Sequence, residues 1–271
     1  MLERFKHVNS AGNVLDFLSL GIYVNANELR NYEWSVLSDN DIITGFTRGV
    51  TTKVIPFVFY CSDNKAVEIK NRFYEHYEID VLNKIPGYFE INGYRYYCYL
   101  TKSTKSDYLI SKRMLKIEVE IISDTSSWIK EDTHSFGISG GSSGSKTYQY
   151  RYSYVYGKAP GNEEITNGSL KSSDFKMVIY GPVTSPSIAI GGHIYSIDVD
   201  VSNAEHLVID SLMRKVYIKT ISGEEVNVFN KRNFDSYIFE KIPPGFNLIT
   251  WTGEFGFDLT LYDERSEPKW T

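Results

Sequence analysis

Apolar and polar residues alternate along much of this chain, which predicts mostly β-structure. The clearest example lies between Met114 and Ile122, where apolar residues take every second position: Leu115, Ile117, Val119 and Ile121. A period of two is typical of a strand with one buried and one wet face. Thr51 to Tyr60 is rich in β-branched and aromatic residues and predicts another strand, and Pro56 inside it indicates an edge strand or a bulge.

One segment, residues 64 to 80, follows a helical period instead. Its apolar residues recur at every fourth position, at Ile69, Phe73 and Tyr77. Charged residues fill the other face, so we expect an amphipathic helix packed on a sheet, with Asp63 as its N-cap. His76 stands alone on this helix, and we interpret it as a solvated or locally bonded side chain.

A hairpin follows the predicted helix. Tyr88 to Ile91 leads into Asn92-Gly93, a pair that tolerates the positive φ angles of a type I′ turn, and Tyr94 to Leu100 returns as an aromatic strand. The first half therefore predicts an α+β domain, mostly antiparallel sheet with one helix and a hairpin. The pattern in residues 1–30 is weak and indicates only a short strand near Leu15 to Leu20.

A Gly- and Ser-rich stretch, His134 to Lys146, divides the chain. It has too few apolar side chains to offset the entropy of ordering it, so we interpret it as a linker. The alternative is a long loop within one domain. The predicted division is a first domain at 1–133, a linker at 134–147 and a second domain at 148–271.

The second half predicts an all-β domain. It opens on alternating tyrosines, Tyr148, Tyr150, Tyr152, Tyr154 and Tyr156, and continues with a polar loop from Gly157 to Ser173. Short strands separated by Gly, Pro and Asn follow, including one at Phe234 to Phe239. We find no helical periodicity over three turns there. This spacing is typical of a two-sheet β-sandwich or jelly roll.

Composition and charge narrow the function classes. The 271 residues are 42% hydrophobic, which is enough for two cores, and the 21 Tyr and 15 Phe favour strands. A net charge of -5 with scattered Lys and Arg argues against tight binding to nucleic acid. No apolar run reaches about 18 residues and no signal peptide is recognisable, so we expect a protein made in the cytoplasm without membrane contact.

The sequence holds no recognisable catalytic or metal-binding set. The five histidines lack metal-ligand spacing, and there is no nucleophile motif or phosphate loop, so we expect no cofactor, no metal and no catalytic residue. The carboxylate pairs Asp198 with Asp200 and Glu163 with Glu164 would serve glycoside hydrolysis only across a cleft. Cys61 and Cys98 fall in separate predicted strands, and we interpret them as buried free thiols rather than a disulfide.

The aromatic residues have two interpretations. Most are expected to fill the two β cores. Exposed Tyr and Trp side chains instead offer a large contact area with a polar tip, which suits sugar rings and protein interfaces. The candidates for glycan or protein contact are Tyr150, Tyr152, Trp251 and Trp270.

The order of several sequence blocks resembles the distal tail proteins of long-tailed phages and prophages. The blocks, which cover most of the chain from about residue 30, are these: Asn71-Arg72-Phe73-Tyr74, Ile85-Pro86-Gly87-Tyr88, Asn92-Gly93-Tyr94, Ser123-Asp124 with Trp128, the tyrosine strand, Ser173-Asp174-Phe175, Ile179-Tyr180-Gly181-Pro182, Ile242-Pro243-Pro244-Gly245 and the tail Asp263 to Trp270.

The resemblance implies a structural role in the virion, at the tail tip, after assembly in the host cytoplasm. It implies a ring, usually a hexamer, that joins the tail tube protein to the tail-associated tip protein and lets DNA pass without tight binding. Subunit contacts are then expected at Asn92, Gly93, Tyr94 and Phe73. The resemblance also implies a β-sandwich with a helix and a hairpin for the first domain, and a galectin-like or carbohydrate-module-like β-sandwich for the second. The second domain is expected to carry a receptor-binding protein or to touch host glycan, and the alternative function is a carbohydrate-binding module for host recognition. A glycan-cleaving enzyme is the third hypothesis.

Overall fold

The computed structural model describes residues 5–24, 27–60, 65–108, 114–138 and 161–270. The chain divides into two compact units, one formed by Met1–Lys130 with Glu264–Thr271 and the other by Glu131–Asp263. Both are built mainly from antiparallel strands, and the long helix lies in the first, which confirms the predicted fold class. No helix in the described ranges is long and apolar enough to cross a bilayer.

In the described residues, the first unit contains ten strands, including the start of β10, and two helices. The strands are β1 Phe5–Val8, β2 Val14–Asp16, β3 Ile22–Val24, β4 Ser35–Asp39, β5 Ile42–Thr47, β6 Thr51–Tyr60, β7 Gly87–Ile91, β8 Tyr94–Tyr108, β9 Met114–Ser123 and β10 Trp128–Phe136. The helices are α1 Asn27–Arg30 and α2 Ala66–Asn83, with a 3₁₀ turn at Leu18–Leu20.

Two sheets of the first unit share strand β8. Its first residues, Tyr94 to Cys98, pair with β7, and the rest of the strand pairs with β9. One sheet runs β8-β7-β1-β2 and the other β8-β9-β6-β3. Pairing with β3 covers only Phe57 to Phe59 of β6, so Pro56 lies at an edge among the described strands, where its missing N–H costs no ladder bond.

Helix α2 covers the core of the first unit. Phe73 packs edge-on against Phe57 and Phe59, with ring centroids 5.4 and 5.1 Å apart, and Tyr77 is equally buried. The helix runs three residues beyond the predicted end and stops where Lys84 takes a left-handed φ of 55°. The predicted cap Asp63 lies outside the described residues. His76 is buried rather than solvated, and its ring is hydrogen-bonded to His7, so of the two interpretations only the bonded side chain is correct.

The second unit is a two-sheet sandwich. Its strands are the end of β10, then β11 Gly161–Asn167, β12 Phe175–Tyr180, β13 Val183–Thr184, β14 Ser187–Ile190, β15 His193–Ser196, β16 Asp200–Val201, β17 His206–Asp210, β18 Lys215–Lys219, β19 Glu225–Asn227, β20 Gly245–Trp251 and β21 Phe257–Arg265, with a 3₁₀ turn at Phe229–Lys231. One sheet runs β19-β18-β17-β12-β21 and the other β11-β20-β14-β15, and their inner faces form one core.

Several predicted details of the second half are wrong. The expected polar loop contains strand β11, an edge strand on which Ile165 is one of few buried residues, so no apolar alternation marked it. The expected strand at Phe234 to Phe239 consists of turns. Residues 134–136, at the start of the expected linker, belong to β10, and Phe136 packs in the core of the second unit. The alternating tyrosines at 148–156 lie outside the described residues.

The observed division differs from the predicted one at both ends of the second unit. It falls after Lys130 rather than after residue 133, and the last eight residues return to the first unit. Cys98 is a buried free thiol, as predicted, and Cys61 lies outside the described residues.

Candidate assembly surface

The predicted subunit contacts separate into turn and core residues. Asn92 and Gly93 form the β7–β8 turn with φ of 52° and 79°. The side-chain amide of Asn92 donates a hydrogen bond to the carbonyl oxygen of Lys269 at 3.2 Å. Tyr94 and Phe73 are buried in the first unit's core. Their side chains offer no surface to a partner, so we correct their assignment to core residues. The turn stays a candidate contact.

The predicted aromatic contacts separate in the same way. Trp251 is buried in the second unit, where its indole N–H donates to the Phe255 carbonyl oxygen at 3.1 Å, so it is a core residue rather than a contact. Trp270 is 67% exposed, and the guanidinium of Arg30 lies 3.8 Å from its ring centroid. Tyr150 and Tyr152 lie outside the described residues.

The C-terminal segment docks on the first unit through Arg30 and Arg48, whose side chains are 4% and 8% exposed. Arg30 donates to the Pro268 carbonyl oxygen at 2.9 Å, and Arg48 lies 3.5 Å from the Glu264 carboxylate. Ser127 donates to the same carboxylate at 2.6 Å. These contacts explain why the segment belongs to the first unit. They join residues more than 100 positions apart, which no local pattern could reveal.

The most exposed apolar element of the first unit is the hairpin β4–β5, residues 35–47, which we call the arm. Its large apolar side chains are each 50% to 68% exposed: Val36, Leu37, Ile42, Ile43 and Phe46. Neighbours on a strand point to opposite faces, so the pairs 36–37 and 42–43 place apolar groups on both faces. In the described structure β4 and β5 pair only with each other.

A two-residue turn creates the arm. Asn40 and Asp41 have φ of 48° and 63°, the left-handed pair that a type I′ hairpin requires and that Asn and Asp tolerate. The sequence signal for the arm is therefore Asn-Asp between two short apolar pairs, and it lacks the alternation that marks the other strands. With Asp39, the turn gives the arm an acidic tip.

A second exposed apolar area lies at the end of α2. Val81, Leu82 and Ile85 are about half exposed or more, and Lys84 stands among them. We call these four residues the α2 patch. Apolar groups with one cation complement an apolar arm with an acidic tip.

The overall architecture matches solved phage proteins. Over 96% of this chain and 98% of the other, it superimposes with a TM-score of 0.56 and 10% identity on a structure described as SPP1 Dit, a paradigm of the hub adsorption apparatus in phages that infect Gram-positive bacteria. Two structures of the phage P2 baseplate in its activated conformation, with Ca and with Sr, each give a TM-score of 0.60 at 12% and 13% identity, covering 99% of this chain and all of theirs.

The chain has a Dit-like fold. No family profile and no curated protein matches the sequence. At such low identity the similarity is one of architecture, and it extends over both units of the chain.

The carboxylates of the predicted pairs differ in their surroundings in this Dit-like fold. Glu163 and Glu164 are successive residues of β11 and therefore point to opposite faces. Asp198 accepts a hydrogen bond from the Ser185 hydroxyl at 2.7 Å, and Asp200 is exposed. Within the described ranges, no group of three or more His, Cys, Asp or Glu side chains is placed to hold a metal ion.

A buried polar cluster joins α2 to strand β1 of the Dit-like first unit. His7 Nδ1 and His76 Nε2 lie 2.9 Å apart, so one ring donates to the other, and Asp80 accepts from the Ser10 amide at 2.6 Å. Burial lowers the pKa of His7 well below its usual value and that of His76 to about 4, while it raises the pKa of Asp80. Both histidines are therefore neutral at pH 7.

Proposed function

We propose that this chain is a structural hub of a phage tail tip and that it assembles into a closed ring, a hexamer by its resemblance to distal tail proteins. The shared architecture with the SPP1 hub protein and the phage P2 baseplate supports the hub role. The observation that carries self-assembly is the arm, which exposes five large apolar side chains on two faces.

The arm is costly to leave uncovered. A two-stranded hairpin is marginal in water on its own, and large contiguous apolar surfaces usually mark contact sites. Burying one such side chain fully is worth roughly 1.5–3 kcal/mol, so covering five that are half exposed yields several kcal/mol. That is comparable to the cost of association, about 4–15 kcal/mol, which the remaining interface must help to offset.

The α2 patch is the complementary surface on the next copy. A closed ring needs a head-to-tail contact between two different patches, not one self-complementary patch. The arm and the α2 patch are two such surfaces on one unit. Asp39 and Asp41 at the arm tip and Lys84 in the patch add attraction of opposite charge.

The ring has a connecting role in this proposal. One face binds the tail tube protein, the other binds the tail-associated tip protein, and DNA passes through the centre. A chain with net charge -5 and scattered cations suits a channel that must not retain DNA. The second unit would carry a receptor-binding protein or contact host glycan, and the protein acts by assembly rather than catalysis, within the virion tail.

The solution mass of the full-length chain tests ring formation. We expect light scattering to give about six times 31.1 kDa for the natural chain. The double variant Ile42→Asp/Phe46→Asp should run as a monomer, because two charges would have to be buried at the contact. The matched control is Leu170→Asp, since Leu170 is an apolar residue 86% exposed in the second unit.

The outcomes separate the parts of the proposal. A natural chain that is monomeric even with its tail partners present would contradict the hub function. A ring that survives the arm double variant would contradict only the role of the arm. Leu82→Asp tests the α2 patch, and a full-mass ring from that variant would show that the arm docks elsewhere. Electron microscopy of the natural ring would show whether it has a central channel.

A further inference from the structure

The sequence contains two Asn-Gly pairs, and the fold places them in different surroundings. Asn92-Gly93 forms the β7–β8 turn, whereas Asn167-Gly168 lies at the end of β11. Asn-Gly is the pair in which an asparagine loses its amide nitrogen most readily, because no Cβ hinders the backbone nitrogen that follows. We propose that Asn92 is a site of spontaneous deamidation and that this reaction loosens the end of the C-terminal segment.

The backbone nitrogen that would react lies at the surface of the turn. Gly93 is exposed, and a Cβ built there would have the Lys130 Cε as its nearest neighbour, at 3.8 Å. The strand ladder ends with the pair Ile91 and Tyr94 and leaves the two turn residues outside it. The nitrogen and the space that an imide ring needs are therefore both available at this position.

The reaction needs only the chain and water. The Gly93 backbone nitrogen attacks the side-chain carbon Cγ of Asn92, and the bond between Cγ and Nδ2 breaks. The amide proton of Gly93 leaves with that nitrogen as ammonia, and a cyclic succinimide remains. One water molecule then opens the ring at either carbonyl, which gives aspartate or isoaspartate at position 92. Nothing is oxidised or reduced, so the reaction requires no cofactor.

Asn167 shows how the fold can protect an identical pair. It is 2% exposed, and its Nδ2 donates to the carbonyl oxygens of Ile242 and Pro243 at 2.9 and 3.2 Å. Its Oδ1 accepts from the Ser169 amide at 3.1 Å and from the Ser173 hydroxyl at 3.2 Å. These bonds must break before the side chain can turn onto the next backbone nitrogen, so the fold slows the reaction here.

The difference between the two pairs lies in the asparagine and not in the glycine, since a Cβ at Gly168 would also find open space. Asn92 is partly exposed, and its bond to the Lys269 carbonyl oxygen lies at the surface. Water competes for such a bond, so it restrains the side chain less than buried bonds do. Asn92 is therefore the more reactive of the two asparagines in the folded chain.

Deamidation changes a contact of the C-terminal segment. A carboxylate cannot donate a hydrogen bond, so the Lys269 carbonyl oxygen loses the bond from Asn92 and faces a negative charge instead. The segment keeps its contacts with Arg30 and Arg48. We therefore expect its last residues to loosen while the rest of the segment stays docked.

Peptide mass spectrometry of the full-length chain, after incubation at pH 8, tests the proposal. We expect the Asn92 peptide to gain the mass difference between an amide and an acid at least about tenfold faster than the Asn167 peptide, because buried bonds must open before Asn167 reacts. In urea, where both pairs are exposed, the two rates should become equal. Digestion in heavy-oxygen water marks any conversion that occurs during sample handling.

Variants separate the reaction from its consequence. Asn92→Gln is the matched control, since it keeps an amide but would have to close a larger ring, and it should not convert. Asn92→Asp reproduces the product, and trypsin should cleave after Lys269 faster in this variant than in the fresh natural chain. The arm double variant Ile42→Asp/Phe46→Asp is incubated in parallel, because a turn covered in a ring would be protected in the natural chain but not in a monomer.

The proposal is overturned if Asn92 stays unchanged in both the natural chain and the arm double variant, or if Asn167 reacts as fast as Asn92 in the folded chain. Equal rates of cleavage after Lys269 in Asn92→Asp and in the fresh natural chain would refute the effect on the C-terminal segment. Because the arm double variant covers the monomeric state, failure here leaves the ring proposal untouched.

Discussion

Two hairpins of the first unit have similar turns, but one is packed in the core and the other is exposed. Asn92-Gly93 joins β7 to β8, Asn40-Asp41 joins β4 to β5, and all four residues have positive φ. In β7 the buried residues alternate with partly exposed ones, whereas every residue of β4 is exposed. The turn decides that a hairpin forms, and the alternation decides whether one face of it can join the core.

The arm breaks that alternation, and this is what makes it a candidate contact. Apolar neighbours at 36–37 and 42–43 cannot all be covered by one core, since they point to both faces. A hairpin of this kind either stays exposed or is covered by another molecule. Four predictions follow from this contrast, ordered by the size of the change each should produce.

Removing an aromatic ring should affect the two hairpins in opposite ways. Phe89→Ala in β7 should lower the free energy of unfolding by about 3–5 kcal/mol, because Phe89 is fully buried and stacks on Phe5 at 5.1 Å. Phe46→Ala in the arm should change it by less than about 1 kcal/mol in the monomer and weaken self-association instead. Urea denaturation and light scattering measure the two effects. Equal losses of stability would remove the distinction between the hairpins.

Substitutions in the two turns should give a smaller difference in stability between the hairpins. Gly93→Val should cost about 1–3 kcal/mol, because a β-branched residue is strained at a φ of 79°. Steric crowding adds little, since the nearest atom to the new Cβ is the Lys130 Cε at 3.8 Å. Asp41→Gly in the arm should change stability by about 0.5 kcal/mol or less. Thermal unfolding gives the comparison.

The same Gly93 variant tests the Asn92-Gly93 turn as a subunit contact. A turn at the interface predicts that Gly93→Val reduces the yield of rings more than it changes the circular dichroism spectrum. Rings of normal mass and yield would contradict that role and leave the arm as the remaining candidate.

Acid should destabilise the core around the β7–β8 hairpin and leave the arm unaffected. Strand β1 pairs His7 with Phe89 of β7, and His7 contacts His76. Both histidines have lowered pKa values in the fold, so below about pH 6.5 the unfolded chain binds more protons than the folded chain. The free energy of unfolding therefore decreases as the pH is lowered from about 6.5 to about 4. The expected loss at pH 5.5 is about 1 kcal/mol per histidine.

Neighbouring charges shape this pH dependence. Arg72 also lowers the pKa of His76. Asp80 acts in the opposite sense, because its raised pKa lets the fold take up a proton more readily as the pH falls. Urea denaturation at pH 7 and pH 5.5 measures the net effect, and His76→Gln should reduce the slope. A free energy of unfolding that is unchanged between these pH values would contradict the neutral, buried pair.

Much of the secondary structure could be predicted, because the signals for each element lie within a few neighbouring residues. Strand β6 has the predicted bounds, and β9 differs by one residue at its end. The Asn92-Gly93 turn lies at the predicted position, because both residues tolerate the positive φ that the turn needs. Strand β11 was missed because an edge strand with few buried residues carries no period of two. Phe234 to Phe239 was misassigned because aromatic residues alone do not specify a strand.

The candidate site was predicted less well, since side-chain burial depends on what packs against each residue. Phe73, Tyr94 and Trp251 are suitable contact residues by type, yet all three lie in cores. Trp270 is exposed, but it belongs to the first unit through its stacking on Arg30. The arm could have been predicted from the Asn40-Asp41 turn and the apolar residues on either side of it.

Periodicity and backbone preference act over a few residues, so the β-rich fold class, the amphipathic helix and the β7–β8 turn follow from the amino-acid sequence alone. The return of the C-terminal segment to the first unit, the bond between His76 and His7, and the exposure of the arm are visible only in the folded chain. These features depend on contacts between residues far apart in the chain, whose energies no local pattern records.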